Sequence, residues 1–203
     1  MSCFLLSGFE PFSTFTINPT VQIVKELDGE VLSDGTVIQS VLLPVVHQQS
    51  AQQLLDLIAK HEPIAVLSFG QATRASISLE RVAINIDDFS LEDNSGNQLI
   101  DTVIVPDGPT AYWSTLPIKR MQKRLQQEGI PAAISNTAGT FVCNHIFYHL
   151  QHALFGRDIP SGFVHVPLLP EQALSGREPS LAKVELLKAV RLMVDEVMLW
   201  INE

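Results

Sequence analysis

Short apolar runs alternate with longer stretches of helical periodicity from one end of the chain to the other. Phe4-Leu5-Leu6 reads as a short buried strand ending at Gly8, and Ile64 to Phe69 as a second one stopping at Gly70. Val37 to Val46 is rich in Val and Leu and strand-like, as are Ala132 to Ser135 and Phe163 to Val166. Ser76 to Ile86 places Ile77, Leu79, Val82, Ile84 and Ile86 on roughly one face, although the phase slips after Leu79. Between these runs lie helical patterns. Thr20 to Leu27 follows Asn18 as a cap and Pro19 at the first helical position. His47 to His61 carries a stripe of Leu54, Leu55 and Ile58 and is closed by Pro63. Ile118 to Glu128 ends at Gly129, and Cys143 to Leu154 follows the glycine turn at Gly139. Leu181 to Ile201 is a long helix with Ser180 as its cap and a stripe through Val184, Leu187, Val190, Val194, Val197 and Ile201.

Strands of four to six apolar residues separated by helices predict an α/β fold. The expected form is a three-layer α/β/α sandwich with a mostly parallel central sheet, in a single domain spanning 1–203. In such sheets sites gather at the carboxyl ends of strands, and Gly8, Gly70, Gly139 and His165 all fall at or just beyond strand ends. One segment breaks the alternation. Asp87 to Pro117, with an Asn94-Ser95-Gly96 turn, three prolines and Tyr112-Trp113, is expected to form a long loop or hairpin insertion that exposes its two aromatics.

Composition narrows the function classes. A chain of 203 residues with 46% hydrophobic residues is long and apolar enough for a sizeable core. Its formal charge is −9, and no basic stripe exists to neutralise phosphates, so no nucleic-acid partner is expected. No apolar stretch approaches a membrane span, and the start lacks a basic n-region, so no membrane partner and a cytoplasmic location are expected. The two cysteines then read as free thiols. His145, His149 and His152 stand at i, i+4 and i+7, which is ligand-like spacing. With neither His-Glu-x-x-His nor Cys-x-x-Cys present, they read as polar residues on one helix face, and no metal or cofactor is expected.

The candidate chemistry is cysteine-dependent acyl transfer. Cys143 sits where the helix dipole and unpaired N–H groups favour thiolate. His165 follows 22 residues later, at the end of the next strand-like run. Read alone, a cysteine beside Phe141 and Val142 also fits a buried core thiol, and a strand-end histidine fits a structural role. Cys3, inside the first strand, reads as core. Glu80 lies in an otherwise apolar strand and needs a partner, either a cation such as Arg81 or a histidine that it orients.

Four ordered segments resemble the pyroglutamyl peptidase I family, the pyrrolidone-carboxylate peptidases. They are Gly8-Phe9-Glu10-Pro11-Phe12 with Asn18-Pro19; Ser78-Leu79-Glu80-Arg81-Val82-Ala83-Ile84-Asn85; Asn136 to His145; and Gly162-Phe163-Val164-His165-Val166-Pro167 with Leu169-Pro170-Glu171-Gln172. The resemblance implies a cysteine omega-peptidase that cleaves after an N-terminal L-pyroglutamyl residue. It implies Cys143 as nucleophile, His165 as base and Glu80 as third member of a triad, working through a thioester. It further implies a lactam pocket of Phe9, Phe12, Phe141 and Val142 with Gln71 as hydrogen-bonding partner, Val45 and Leu91 at positions that usually line it, and no cofactor. The partners it implies are N-terminally pyroglutamylated peptides and further copies of the chain, as a dimer or tetramer. Bacterial members carry Arg-Ile-Pro just before Asp-Asn-x-Gly, where this chain has Ser90-Leu91-Glu92, and the turn after Gln71, Ala72-Thr73-Arg74, is one residue shorter than the family's double-glycine form. These departures leave two further readings open: a pyroglutamyl-peptide binder without turnover, and a cysteine amidohydrolase acting on another small amide.

Overall fold

Apolar side chains that alternate along each strand point to two opposite faces, so a sheet of such strands must be covered twice. The computed structural model, which describes residues 2–173 and 176–203, resolves this requirement as three layers. The central sheet contains β1 (Cys3–Phe9), β2 (Val37–Leu43), β3 (Ala65–Gln71), β4 (Ile77–Glu80), β7 (Ala132–Ser135) and β8 (Ser161–Val166), in the order β2-β1-β3-β8-β4-β7. All neighbours run parallel except β4 and β8, which are antiparallel with Ser78 opposite His165. A separate two-stranded ribbon pairs β5 (Val82–Ile84) with β6 (Ala111–Trp113).

On one face, Phe4, Leu6, Leu67, Phe69, Leu79 and Val164 pack in one core with residues of α1 (Pro19–Leu27), α3 (Ile118–Gln127) and α5 (Lys183–Ile201). On the other, Leu5, Phe9, Val66 and Phe163 pack with residues of α2 (His47–His61) and α4 (Val142–Leu154). Each of these large side chains contributes about 1.5–3 kcal/mol by leaving water. Cys3 is buried in the sheet, as its strand position suggests.

The boundaries shift where tertiary pairing overrides local pattern. The strand expected over Val37 to Val46 stops at Leu43, before Pro44, which has no N–H to continue a ladder. The slip after Leu79 is a real break: β4 belongs to the main sheet, β5 to the ribbon, and Arg81 lies between them. The last helix starts at Lys183 with Ala182 as its cap, and Ser180 is held extended in a bridge to Leu168. Its buried stripe runs through Leu186, Val190, Met193 and Val197, while Val184 and Ile201 are exposed. The insertion folds back on itself, with Asp87 pairing with Thr102, Phe89 N–H donating to Leu99 O, and a turn at Asp93 to Asn97. Tyr112 is buried against Tyr148 and His152, contrary to its expected exposure, and Trp113 is 68% exposed.

Candidate active site

Register fixes the polar centre. Gly70 on β3 pairs with His165 on β8, and His165 lies opposite Ser78 on β4. Glu80, two residues beyond Ser78, is therefore the diagonal neighbour of His165 on the same face of the sheet. The His165 Nδ1 atom lies 2.7 Å from Glu80 Oε1, with both side chains buried. That oxygen already accepts from Arg74 Nη1 at 2.7 Å, so the imidazole is the donor and its Nε2 is left to face the cleft. Arg74 also donates to Ser135 Oγ at 3.2 Å and to Thr137 O at 3.2 Å. It thus ties the end of β4 to the segment that leads into α4. Arg81, the neighbouring cation in sequence, makes no such contact; the short turn after Gln71 brings in Arg74 instead. The second Glu80 oxygen is buried without a hydrogen-bond partner among the described residues.

Cys143 is the second residue of α4. Gly139 (φ +80°) makes the turn before it in a conformation that favours glycine, and Thr140 fastens the turn by donating its hydroxyl to Asp88 O at 2.7 Å. Phe141 caps the helix without a side-chain bond, so the first N–H groups of α4 are open to an incoming oxygen. The sulfur lies directly over Gly70: a Cβ built on that residue would stand 2.9 Å from Cys143 Sγ and 2.8 Å from Phe163 Cζ. Because Gly70 and His165 are register partners, the thiol is set above the strand beside the histidine. The described residues include no hydrogen bond between them. The dipole argument from sequence loses to desolvation. Burial, reinforced by the Glu80 charge, pushes the Cys143 thiol up to about 12, while Arg74 and the residue's own N–H pull the other way. At neutral pH the Cys143 side chain rests as a thiol, so its sulfur becomes a strong nucleophile only if a base takes the proton.

Beside the sulfur is a narrow pocket lined by Phe9, Phe12, Asn18, Val45, Gln71, Phe141, Val142 and Cys143. The structure gathers Phe9, Phe12, Val45, Gln71, Phe141 and Val142, all expected there from the sequence, around one hollow. Leu91 does not line it. Phe12 and Phe141 face each other with ring centres 6.1 Å apart, and Phe89 braces Phe141 edge-on at 4.8 Å. Gln71 is oriented by Gln172, whose Nε2 donates to Gln71 Oε1 at 2.7 Å and to Ile17 O at 3.0 Å. Gln172 Oε1 in turn accepts from Leu169 N–H at 2.9 Å. This chain leaves the Gln71 amide NH2 free to donate into the cavity. The Ala72 N–H is committed to Val166 O and offers nothing to a ligand.

Sequence reasoning passed over Arg74 as a site residue, and it assigned Asn18 only a capping role. Asn18 does cap α1, accepting from Thr20 N–H at 3.0 Å, but it also walls the cavity. Ser90, where bacterial members of the resembled family carry arginine, is exposed. The guanidinium at the polar centre comes from Arg74.

A family model described as pyroglutamyl peptidase matches residues 2–199. The chain is 47% identical to a pyrrolidone-carboxylate peptidase of Vibrio parahaemolyticus, over 95% of this chain and 91% of that one. It is also 47% identical to one from Bacillus cereus, over 98% and 94%. The fold matches the crystal structure of pyroglutamyl peptidase I from Bacillus amyloliquefaciens with a TM-score of 0.92 and 42% identity, covering 97% of this chain and 94% of that one. A variant pyrrolidone carboxyl peptidase from the hyperthermophile Pyrococcus furiosus gives 0.92 at 39% identity, covering 97% and 98%.

Proposed function

The chain belongs to the pyroglutamyl peptidase family of cysteine peptidases, and we propose that it hydrolyses the amide bond after an N-terminal L-pyroglutamyl residue through Cys143, His165 and Glu80. The observation that carries this reading is the placement of the Cys143 sulfur over Gly70, whose register partner His165 is held by Glu80. His165 Nε2 takes the thiol proton as Sγ attacks the pyroglutamyl carbonyl carbon. The oxyanion that forms is received by the Cys143 N–H at the open start of α4. The tetrahedral intermediate collapses with cleavage of the C–N bond. His165 gives the proton to the departing amine, leaving a thioester on Cys143. Water then attacks this thioester as His165 accepts its proton; the C–S bond breaks, His165 returns the proton to sulfur, and free pyroglutamate is released.

Glu80 holds the imidazole in the tautomer that exposes Nε2 and offsets its positive charge after proton transfer. Arg74 fixes the carboxylate. The aromatic walls of Phe9, Phe12 and Phe141, with Val142, suit an uncharged lactam that lacks a free amine, and the Gln71 NH2 suits its ring carbonyl. Among the described residues no acidic side chain lines this pocket to attract an ammonium group.

Acid-quenched mass spectrometry of the protein mixed with a pyroglutamyl amide tests the covalent step. A pyroglutamyl adduct on the Cys143 peptide is expected. Turnover with no adduct there, and full turnover in Cys143→Ala, would overturn the mechanism.

A further inference from the structure

Between the N-terminal part of α2, α4 and the insertion lies a second, larger cavity of about 670 Å³, open to solvent and separate from the Cys143 pocket. Three imidazoles line it: His47, His145 and His149. The rings of His145 and His149, one turn apart on α4, have centres 4.6 Å apart, and the ring of His47 stands edge-on to His145 at 5.3 Å. Two of the three are backed by a carboxylate. Asp87 Oδ2 lies 2.7 Å from His145 Nδ1, and Asp93 Oδ2 lies 3.1 Å from His47 Nδ1. Asp93 is itself clamped by Asn97 and Ser95.

A carboxylate behind Nδ1 fixes the tautomer and leaves Nε2 with its lone pair, the arrangement that orients histidine ligands in metal sites. His145 is only 3% exposed, yet its Nε2 is buried without a hydrogen-bond partner. An orphaned buried acceptor of this kind is unfavourable unless something occupies it. His152, the third histidine of the i, i+4, i+7 set, is taken by Tyr112 OH at 2.8 Å, so the spacing resolves into one pair facing the cavity and one residue turned to the hydroxyl.

We propose that this cavity binds a divalent transition-metal ion of the zinc class, with His145 and His149 as the protein ligands and solvent completing the shell. Imidazole nitrogens select such ions over magnesium or calcium, and two imidazoles on one tetrahedral ion have ring centres about 5 Å apart, given Zn–N bonds of about 2.0–2.1 Å. Among the described residues no three His, Cys, Asp or Glu side chains already form a ligand set, so the site is a two-histidine one. His47, Gln52 and Asn97 supply its polar wall, with Asp93 behind His47.

Calorimetric titration of the Cys143→Ala chain with Zn²⁺ at neutral pH tests this apart from any binding at the nucleophile. One equivalent is expected to bind, with Kd raised at least about ten-fold in the further variant His149→Ala and unchanged in His152→Ala. His149 is half-buried and makes no side-chain hydrogen bond among the described residues, and melting curves of each variant confirm folding. A rise in Tm with Zn²⁺ that His149→Ala abolishes is the second expected readout. No saturable binding to the folded Cys143→Ala chain, or equal Kd in His149→Ala, would overturn the site.

Discussion

Glu80 and His165 meet diagonally across the antiparallel seam between β4 and β8, with Oε1 and Nδ1 2.7 Å apart. The seam matters because a parallel neighbour would present a different register, and because β4 ends there, leaving the carboxylate at the lip of the sheet. Exchange of the carboxylate for a neutral amide, Glu80→Gln, keeps the shape and removes the charge that stabilises imidazolium. Steady-state kinetics on a pyroglutamyl amide are expected to show kcat falling by about 10³–10⁴-fold with KM nearly unchanged.

Arg74 holds the same Glu80 oxygen from the other side, and its side chain is 34% exposed. Solvent screening therefore tempers its contribution. Arg74→Met is expected to lower kcat about ten-fold, in line with loss of a charge-assisted hydrogen bond. It also removes a cation that pulls the Cys143 thiol down, so the alkaline limb of thiol reactivity moves to higher pH. Arg74→Lys restores the charge but not the contacts to both Ser135 and Thr137, and recovers only part of the rate.

Gly70 carries the sulfur. Gly70→Ala places a methyl group within 2.9 Å of Cys143 Sγ and 2.8 Å of Phe163 Cζ, and neither can move freely in a packed layer. Thermal unfolding is expected to show a loss of about 1–3 kcal/mol, and turnover is expected to fall further than that destabilisation explains, because the nucleophile itself is displaced.

Cys143 reactivity follows from its burial. Packing of the half-buried side chain and the Glu80 charge raise the thiol from its ordinary value of 9.0 to about 12, so the protonated form dominates at pH 7. Raising the pH deprotonates the folded-state thiol only near 12. Alkylation of the free protein by iodoacetamide is expected to accelerate continuously through pH 10. A plateau near pH 8 would contradict this placement of the sulfur.

The ribbon of β5 and β6 leaves Trp113 exposed, with Ile100 and Val103 also exposed on the insertion. We expect these residues to contribute to self-association, with light scattering giving a dimer or tetramer at micromolar concentration and Trp113→Ala shifting it toward monomer.

Much of this was legible before any coordinates. The alternation of runs gave the layers, and the ordered segments around Glu80, Cys143 and His165 marked the residues that the sheet brings together. What the chain order hid was tertiary. The sequence leaves Glu80 either a cation such as Arg81 or a histidine as partner, and the fold supplies both kinds, His165 and, in place of Arg81, Arg74. The cap of the last helix is Ala182 because Ser180 is held in the bridge to Leu168; of the expected stripe Val190, Val194 and Val197 are buried and Leu187 packs against the core, while its ends, Val184 and Ile201, are exposed. The ionisation of Cys143 was misjudged because a helix N-terminus is visible in sequence, whereas desolvation by packing on Gly70 and the Glu80 charge is not.

Release of the fluorophore from a pyroglutamyl fluorogenic amide under reducing conditions, wild type beside Cys143→Ala, tests the central claim most directly. Release by the wild type and none by the folded variant is the predicted result. No release by folded wild type, or equal release by both proteins, would contradict it.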